Sequence, residues 1–438
     1  MPNVLFLNIV GLTPELLAHA PRLSALGPPA PLTPPLPAVT STCEATMLTG
    51  TAPRDHGVVA NGWYFRDLNE IMFWRHSNRL VAGRKIWEDV PGETAVLFWR
   101  FNMATDAAIS VAERPAYPAD GRKIPDLYTN PPELGVELQE THGRFPLFHF
   151  WGPTSGIQST QWIVKAAKDV LAKRRPKLAL VYLPHLDYDL QRFGPDDSRI
   201  AEQVRAVDAE AGRLMDAVPD YKVLVASEYG ITNVSGAVMI NRALRQAGLL
   251  DVQRNATGEI LDPFRSRAFA VCDHQLAHVY VRESGDVAAA RKVIEGLDGV
   301  DRILDKIATG LDHERSGELV VLSAKDRWFA YPYWLDDAAA PDFARTVDIH
   351  RKPGYDPCEL FFDERVSKAS IAWTLLKKKL GFRTLFEVVP LDPSVVGGSH
   401  GRLPDSPAEG PILLGDGDRP RDMTEIRETI LRHVNGSD

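Results

Sequence analysis

Val4–Leu17, VLFLNIVGLTPELL, begins with an apolar run broken once, by Asn8, then turns at Gly11 and changes to a helical spacing from Thr13. An apolar run without alternation suits a strand buried on both faces, and a strand, tight turn and helix in succession open a parallel sheet. The same order returns at Leu178–Leu183, behind a helical pattern over Gln161–Ala172, and at Val223–Ala226, behind one over Ile200–Ala217. Strands alternating with helices in this way predict an α/β fold, a mostly parallel sheet covered by helices on both faces. Ligands of such sheets gather beyond the carboxyl ends of the strands. The polar residues to follow are therefore Asn8, His185–Gln191 and Ser227–Tyr229.

Composition agrees with a buried core of that size. Of 438 residues, 44% are hydrophobic and 25% charged, which excludes disorder as the main state. The net charge of −8 gives no overall basic footprint for nucleic acid or for a membrane. No stretch approaches the roughly 20 apolar residues that span a bilayer. Cys43, Cys272 and Cys358 lie far apart without metal-knuckle spacing. The first residues read as a strand, so a cytoplasmic location is expected.

From about Phe264 the pattern changes. AFAVCDHQLAHVYV (268–281) reads as two strands around a tight turn, followed by a helix over Val287–Leu297 and a strand ending near Leu304. This predicts a smaller inserted α+β subdomain over 261–339, with 1–260 and 340–438 forming the core. Within the core, 62–130 holds several tryptophans and little periodicity, as a lid region would. Leu385–Val389, LFEVV, reads as a returning core strand before the glycine-rich loop VVGGSHGR.

Four segments, in order, then carry a resemblance. PAVTSTCEATMLTGTAPRDHG (37–57) has a Thr ten residues before the Gly of a Thr-Gly pair, then Pro-x-x-His-Gly; DYDLQRFGP follows at 187–195, SEYG at 227–230 and SHG at 399–401. They resemble the motifs of the type I phosphodiesterase/nucleotide pyrophosphatase branch of the alkaline phosphatase superfamily. The resemblance implies that superfamily's fold and a metal-dependent hydrolase of phosphodiester, pyrophosphate or phosphonate bonds, with a threonine nucleophile and bound divalent ions. Carried over residue by residue, Thr40 is the nucleophile. Asp187, Gln191 and His400 fall on the positions of one metal, and Glu228 with Tyr229 on those of another. The family's first Asp falls on Val10, with Asn8 two positions earlier on the same strand face. A phosphate-binding Asn becomes Cys43, while Asn61 matches an Asn behind the nucleophile. Asn8, Asn61 and Tyr229 are the candidate substrate contacts. The oxygen-rich set suits magnesium, manganese or calcium as readily as zinc. Asp273 and His274, at the tip of the 268–281 hairpin, would restore a carboxylate and an imidazole if that tip reaches the sheet edge; otherwise Asp273 shapes the turn and His274 is solvated.

Other residues carry paired readings. His56 reads as a loop-holding residue. His185 and Asp189 would point with Asp187 along an extended segment. His350, Arg351 and Lys352 are either an anion clamp or a solvated loop, and Trp63, Trp74, Tyr333 and Trp334 either a substrate wall or core. The leading function is the hydrolase acting on a small phosphate- or phosphonate-containing molecule. The alternative is a non-catalytic binding or scaffold protein on the same fold, and a third is a different reaction, such as phosphoryl transfer or isomerisation, at an altered metal site. A sulfatase is disfavoured, because Cys43 is followed by Glu44-Ala45-Thr46.

Overall fold

A computed structural model describes residues 3–120, 122–415 and 420–436. Among the described residues eight strands form the central sheet: the short edge strand Ala30–Pro31, β1 (Asn3–Ile9), β2 (Thr94–Leu97), β3 (Ile109–Glu113), β4 (Leu127–Asn130), β5 (Leu178–Leu183), β6 (Tyr221–Ala226) and, near the carboxyl end of the chain, Ile412–Leu414. The last pairs antiparallel with β6 and with the edge pair Ala30–Pro31. The order runs Ala30–Pro31, Ile412–Leu414, β6, β1, β5, β2, β3, β4. The five strands from β6 to β3 are mutually parallel, and β4 returns antiparallel. β1 and β5 sit side by side in the middle, where every residue from Val4 to Ile9 and from Leu178 to Leu183 is buried. This two-sided burial is why their apolar runs do not alternate.

Helices flank the sheet: α1 (Thr40–Thr49), α2 (Ile157–Arg174), α3 (His185–Phe193) and α4 (Ile200–Ala217), with α2 and α4 packed on each other. The span 62–130 is divided. Its hairpin Gly62–Phe65/Glu70–Phe73 lies outside the central sheet, whereas β2, β3 and β4 belong to it. A second sheet of four antiparallel strands is built from β7 (Ala268–Asp273), β8 (Leu276–Val281), β9 (Val300–Leu304) and β10 (Leu319–Ser323), in the order β7-β8-β10-β9. Helix α5 (Val287–Glu295) follows β8, and α6 (Lys368–Lys379) and α7 (Ile426–Asn435) complete the named helices.

Two local expectations are corrected. His185–Gln191 lies on helix α3, so alternation does not apply: His185 Nε2 bonds Gln203 Oε1 at 2.9 Å, and Asp189 accepts from Arg192 at 2.7 Å. Leu385–Val389 is not a strand. The backbone N–H groups of Val388 and Val389 both turn to the carbonyl of Arg345, and Leu385 is exposed. Among the described residues, no helix is long and apolar enough to cross a membrane.

Candidate active site

β1, β5 and β6 are in parallel register, Asn8 pairing with Tyr182 on one side and Ala226 on the other. Their carboxyl ends therefore bring Asn8, Asp187 and Glu228 to one edge of the sheet. Thr40 begins α1 after the extended Val39, and the helix ends at Gly50, whose φ of 70° is the left-handed conformation common at helix ends. The Thr40 hydroxyl lies 3.1 Å from the Tyr229 hydroxyl, and that phenol donates to Asp187 Oδ1 at 3.2 Å. The second oxygen of Asp187 accepts from Gln191 Nε2 at 2.7 Å, while Gln191 Oε1 accepts from the Tyr355 hydroxyl at 2.7 Å.

Above Asp187 the rings form a column. Tyr229 stacks on His400 with centroids 3.6 Å apart, His400 lies 3.7 Å from His274, and His274 lies 3.7 Å from Tyr355. The turn of the β7–β8 hairpin thus reaches the sheet edge. Gln275 N–H donates to the His400 carbonyl at 2.8 Å, and His274 adopts a φ of 59°. A non-glycine residue held there costs about 1 kcal/mol or more and persists only where its surroundings fix it. Asp273 Oδ1 lies 2.7 Å from His274 Nδ1 and 3.1 Å from Asn61 Nδ2, and Asp273 Oδ2 accepts from Asn61 N–H at 2.7 Å. Asn61 Oδ1 accepts from the Ser41 N–H at 2.9 Å, so its whole amide is engaged in joining α1 to the hairpin.

On the far side of Thr40 lies a buried carboxylate pair. The Asn8 amide donates to Glu228 at 2.6 Å and to Glu44 at 3.2 Å; Glu44 also accepts from the backbone of Arg100, whose guanidinium pairs with Glu113 at 3.0 Å. Val10 is fully buried among apolar residues, and Cys43 donates its thiol to the Glu228 carbonyl.

Burial sets the protonation states. It lifts Asp187 to about 7, Asp273 to about 6 and Glu44 to about 8, and raises Glu228, an effect that the neighbouring Glu44 charge reinforces. The same burial holds His274 and His400 well below the usual imidazole range, so both are neutral. The His400 Nδ1–H donates to the Ala38 carbonyl at 2.8 Å, and the His274 Nδ1–H faces Asp273. Each ring consequently keeps a lone pair on Nε2, and neither Nε2 has a hydrogen-bond partner.

The donor set tests the implied pair of divalent ions. Among the described residues, no three His, Cys, Asp or Glu side chains are grouped to hold a metal. Both oxygens of Asp187 are engaged, by Tyr229 and by Gln191, and the closest approach of His400 Nε2 to that carboxylate is 3.9 Å. Between Glu44 and Glu228, where charge balance would call for a cation, stands the Asn8 amide. Hydrogen-bond donors of the chain fill both places, and as folded these residues do not fit a pair of ions.

The site residues expected from the sequence thus converge around Thr40, whereas the other candidates do not. His56 bonds Thr46 and the Val58 N–H. Lys352 is neither a clamp nor solvated: it is buried between Asp356 and Glu359, each at 2.7 Å, and His350 and Arg351 turn to the Phe73 carbonyl and to Asp342. Trp63, Tyr333 and Trp334 are core residues, and Trp74 packs edge-on against Tyr355. The sequence reading missed Glu44, Arg100 and Tyr355. Glu44 stands one helical turn after Thr40, a spacing that places both on one face of α1. Arg100 and Tyr355 carry no local signal. Beside Tyr229 opens a shallow cleft lined by Ala38, Gln275, Lys325 and Arg402, among others.

Comparison with known proteins agrees with this architecture. Residues 4–356 match the model of the type I phosphodiesterase/nucleotide pyrophosphatase family. An uncharacterised pyrophosphatase/phosphodiesterase of Schizosaccharomyces pombe is 24% identical over 208 residues, a stretch covering 48% of this chain and 37% of that protein. Two solved structures share the fold at a TM-score of 0.60 and 13% identity. One is murine ectonucleotide pyrophosphatase/phosphodiesterase 5, in an inactive form with AMP, over 99% of this chain and 95% of that one. The other is phosphonoacetate hydrolase of Sinorhizobium meliloti with phosphonoformate, over 100% and 96%. The chain belongs to the type I phosphodiesterase/nucleotide pyrophosphatase family.

Proposed function

We propose that the protein hydrolyses a phosphate ester, a pyrophosphate or a phosphonate of a small molecule, with Thr40 as the nucleophile. The observation that carries this reading is the hydrogen-bonded chain from Thr40 through Tyr229 to Asp187. The amino end of α1 favours the phosphoryl anion through its dipole. As Thr40 Oγ1 forms its bond to phosphorus, its proton passes to the Tyr229 oxygen while the Tyr229 proton passes to Asp187. A carboxyl lifted to about 7 by burial is poised to take that proton at neutral pH. The leaving group departs with the broken phosphorus bond's electrons and takes a proton from solvent. Water held by the unpaired Nε2 of His400 then attacks phosphorus as the bond to Thr40 Oγ1 breaks; Thr40 recovers its proton from Asp187 through Tyr229, and the proton lost by water passes to solvent.

The ligand set does not fit a pair of ions, so the chain's own residues carry each proton, and any dependence on zinc, magnesium or manganese is read from the assay. The three free, buried cysteines support the expected cytoplasmic location. A second reading, the non-catalytic binding or scaffold protein, is favoured by the way Asn8, Tyr229 and Gln191 satisfy one another's neighbours without a ligand.

The test is an assay of chromogenic phosphodiester, phosphomonoester and phosphonate substrates, with chelator and with added Zn²⁺, Mg²⁺ or Mn²⁺. Turnover that falls at least ~100-fold in Thr40→Ala, with a phosphorylated Thr40 peptide trapped at low pH, supports the hydrolase. Absence of turnover under every metal condition, in a protein that still binds a phosphate-containing ligand, establishes the scaffold reading.

A further inference from the structure

Helix α6 differs from the helices that flank the sheet, since none of its twelve residues is buried. At 3.6 residues per turn, Ala369, Ala372, Trp373, Leu376 and Leu380 fall on one face, and that face points outward. Trp373 is 57% exposed and Leu380 66%, and the apolar surface continues through Phe382 at 64%. The helix is nonetheless anchored. Ser367 caps it by accepting from the Ser370 N–H at 3.2 Å, and Ile371 and Phe386 rest on a buried cluster containing Trp328 and Val388. Beyond its end, the Arg383 guanidinium donates to the carbonyls of Ala119 and Asp120. An outward apolar stripe on a tethered helix marks a surface that meets something else.

The charges say what. Residues 368–386 include Lys368, Lys377, Lys378, Lys379 and Arg383 and no Asp or Glu, in a chain of net charge −8. On the helical wheel Lys368 and Lys379 border the stripe on one side and Lys377 on the other, with the Lys377 ammonium 5.4 Å from the Trp373 ring centroid. Lysine stems can lie along apolar surface while their ammonium groups reach its edge. A second copy of the chain would set like charges against each other across a twofold contact. An anionic bilayer meets the apolar and the basic residues together, and it repels the acidic remainder, which orients the molecule. At about 1.5 Å per residue, the helix is far too short for a hydrocarbon layer of about 30 Å and would lie in its plane.

We propose that α6 and the segment after it dock this protein on anionic lipid surfaces, with Trp373, Leu376, Leu380 and Phe382 entering the boundary between headgroups and acyl chains. This contact is peripheral and independent of the reaction proposed above. It is tested by co-sedimenting the full chain with vesicles of phosphatidylcholine alone and with 30% phosphatidylglycerol. Binding to the anionic vesicles at least ~10-fold tighter, and weakened by salt, is expected. Trp373→Asp with Leu376→Asp should abolish it, and Lys368→Glu with Lys379→Glu should remove the lipid preference, both with unchanged thermal melts since these side chains are exposed. A dye on Leu376→Cys should shift to the blue with anionic vesicles only. Equal binding to both vesicle types, no binding to either, or binding that the Asp variants keep would overturn the proposal. So would a dimer in sedimentation equilibrium that the Asp variants dissociate.

Discussion

The phenol of Tyr229 lies flat on the imidazole of His400, centroids 3.6 Å apart and planes 7° from parallel. Each ring is pinned at its polar end, Tyr229 by Thr40 and Asp187 and His400 by the Ala38 carbonyl. The column continues through His274 to Tyr355, whose hydroxyl returns to Gln191 and so to Asp187. A closed circuit of this kind transmits a change at any member to the carboxylate.

Tyr229→Phe keeps the stack and deletes the bridge between Thr40 and Asp187. It should cost about 1–3 kcal/mol in urea denaturation, because buried Asp187 loses a donor. Turnover should fall at least ~10-fold if the phenol carries the nucleophile's proton. Unchanged turnover would remove Tyr229 from the proton path.

Asn8→Asp would put a third carboxylate beside Glu44 and Glu228 in place of the amide that now donates to both. In metal-free buffer a loss of about 3–5 kcal/mol is expected. Zn²⁺ or Mn²⁺ should restore the melting temperature of this variant and leave the unaltered protein's almost unmoved. Failure of every divalent ion to rescue it would mean that this position cannot be made a cation site.

Asp187 gives a signed pH dependence. Its folded value of about 7 lies above the ordinary carboxyl value of about 3.9, so between them the folded state keeps a proton that the unfolded chain releases. Its contribution is therefore fully present below about pH 4 and is lost as pH rises through 7. Asp187→Asn removes that loss. Relative to the unaltered protein it should be more stable at pH 8 than at pH 4, the difference being on the order of 2–4 kcal/mol by urea denaturation. The neutral rings of His274 and His400 act in the opposite sense, weakening the fold as pH falls below about 6.5.

Gln191→His with Tyr229→His supplies two imidazoles beside Asp187 and removes the donors that now engage both of its oxygens. Zinc affinity by equilibrium dialysis should rise at least ~10-fold, since nitrogen donors suit that ion better than an amide or a phenol. No gain would show that the column of rings, not the ligand identity, excludes the ion.

The middle of the sheet was legible because β1 and β5 are buried on both faces, which writes unbroken apolar runs into the chain. The hairpin was legible too, from two apolar runs around Asp273-His274. The stretch 185–191 misled because Leu186, Tyr188 and Leu190 alternate like a strand. They lie on a short helix buried on most sides, so the alternation carries no strand meaning. LFEVV misled because β-propensity cannot supply a neighbouring strand, and among the described residues none pairs with it. Net charge hid the basic, apolar surface of α6, since a sum over the whole chain averages away a local patch.

Family membership and the positions to inspect follow from short motifs, because local spacing survives in the linear order of residues. What occupies the gaps between those positions does not follow from spacing. Whether Asn8 stands between two glutamates, whether Tyr229 bridges Thr40 and Asp187, and whether His274 enters the column depend on distances between residues dozens to hundreds of places apart. Such distances are set by sheet order and packing, and hydrogen bonds decay within a few tenths of an ångström, so folding in three dimensions chose donors of the chain for the places where the motifs alone implied metal ions.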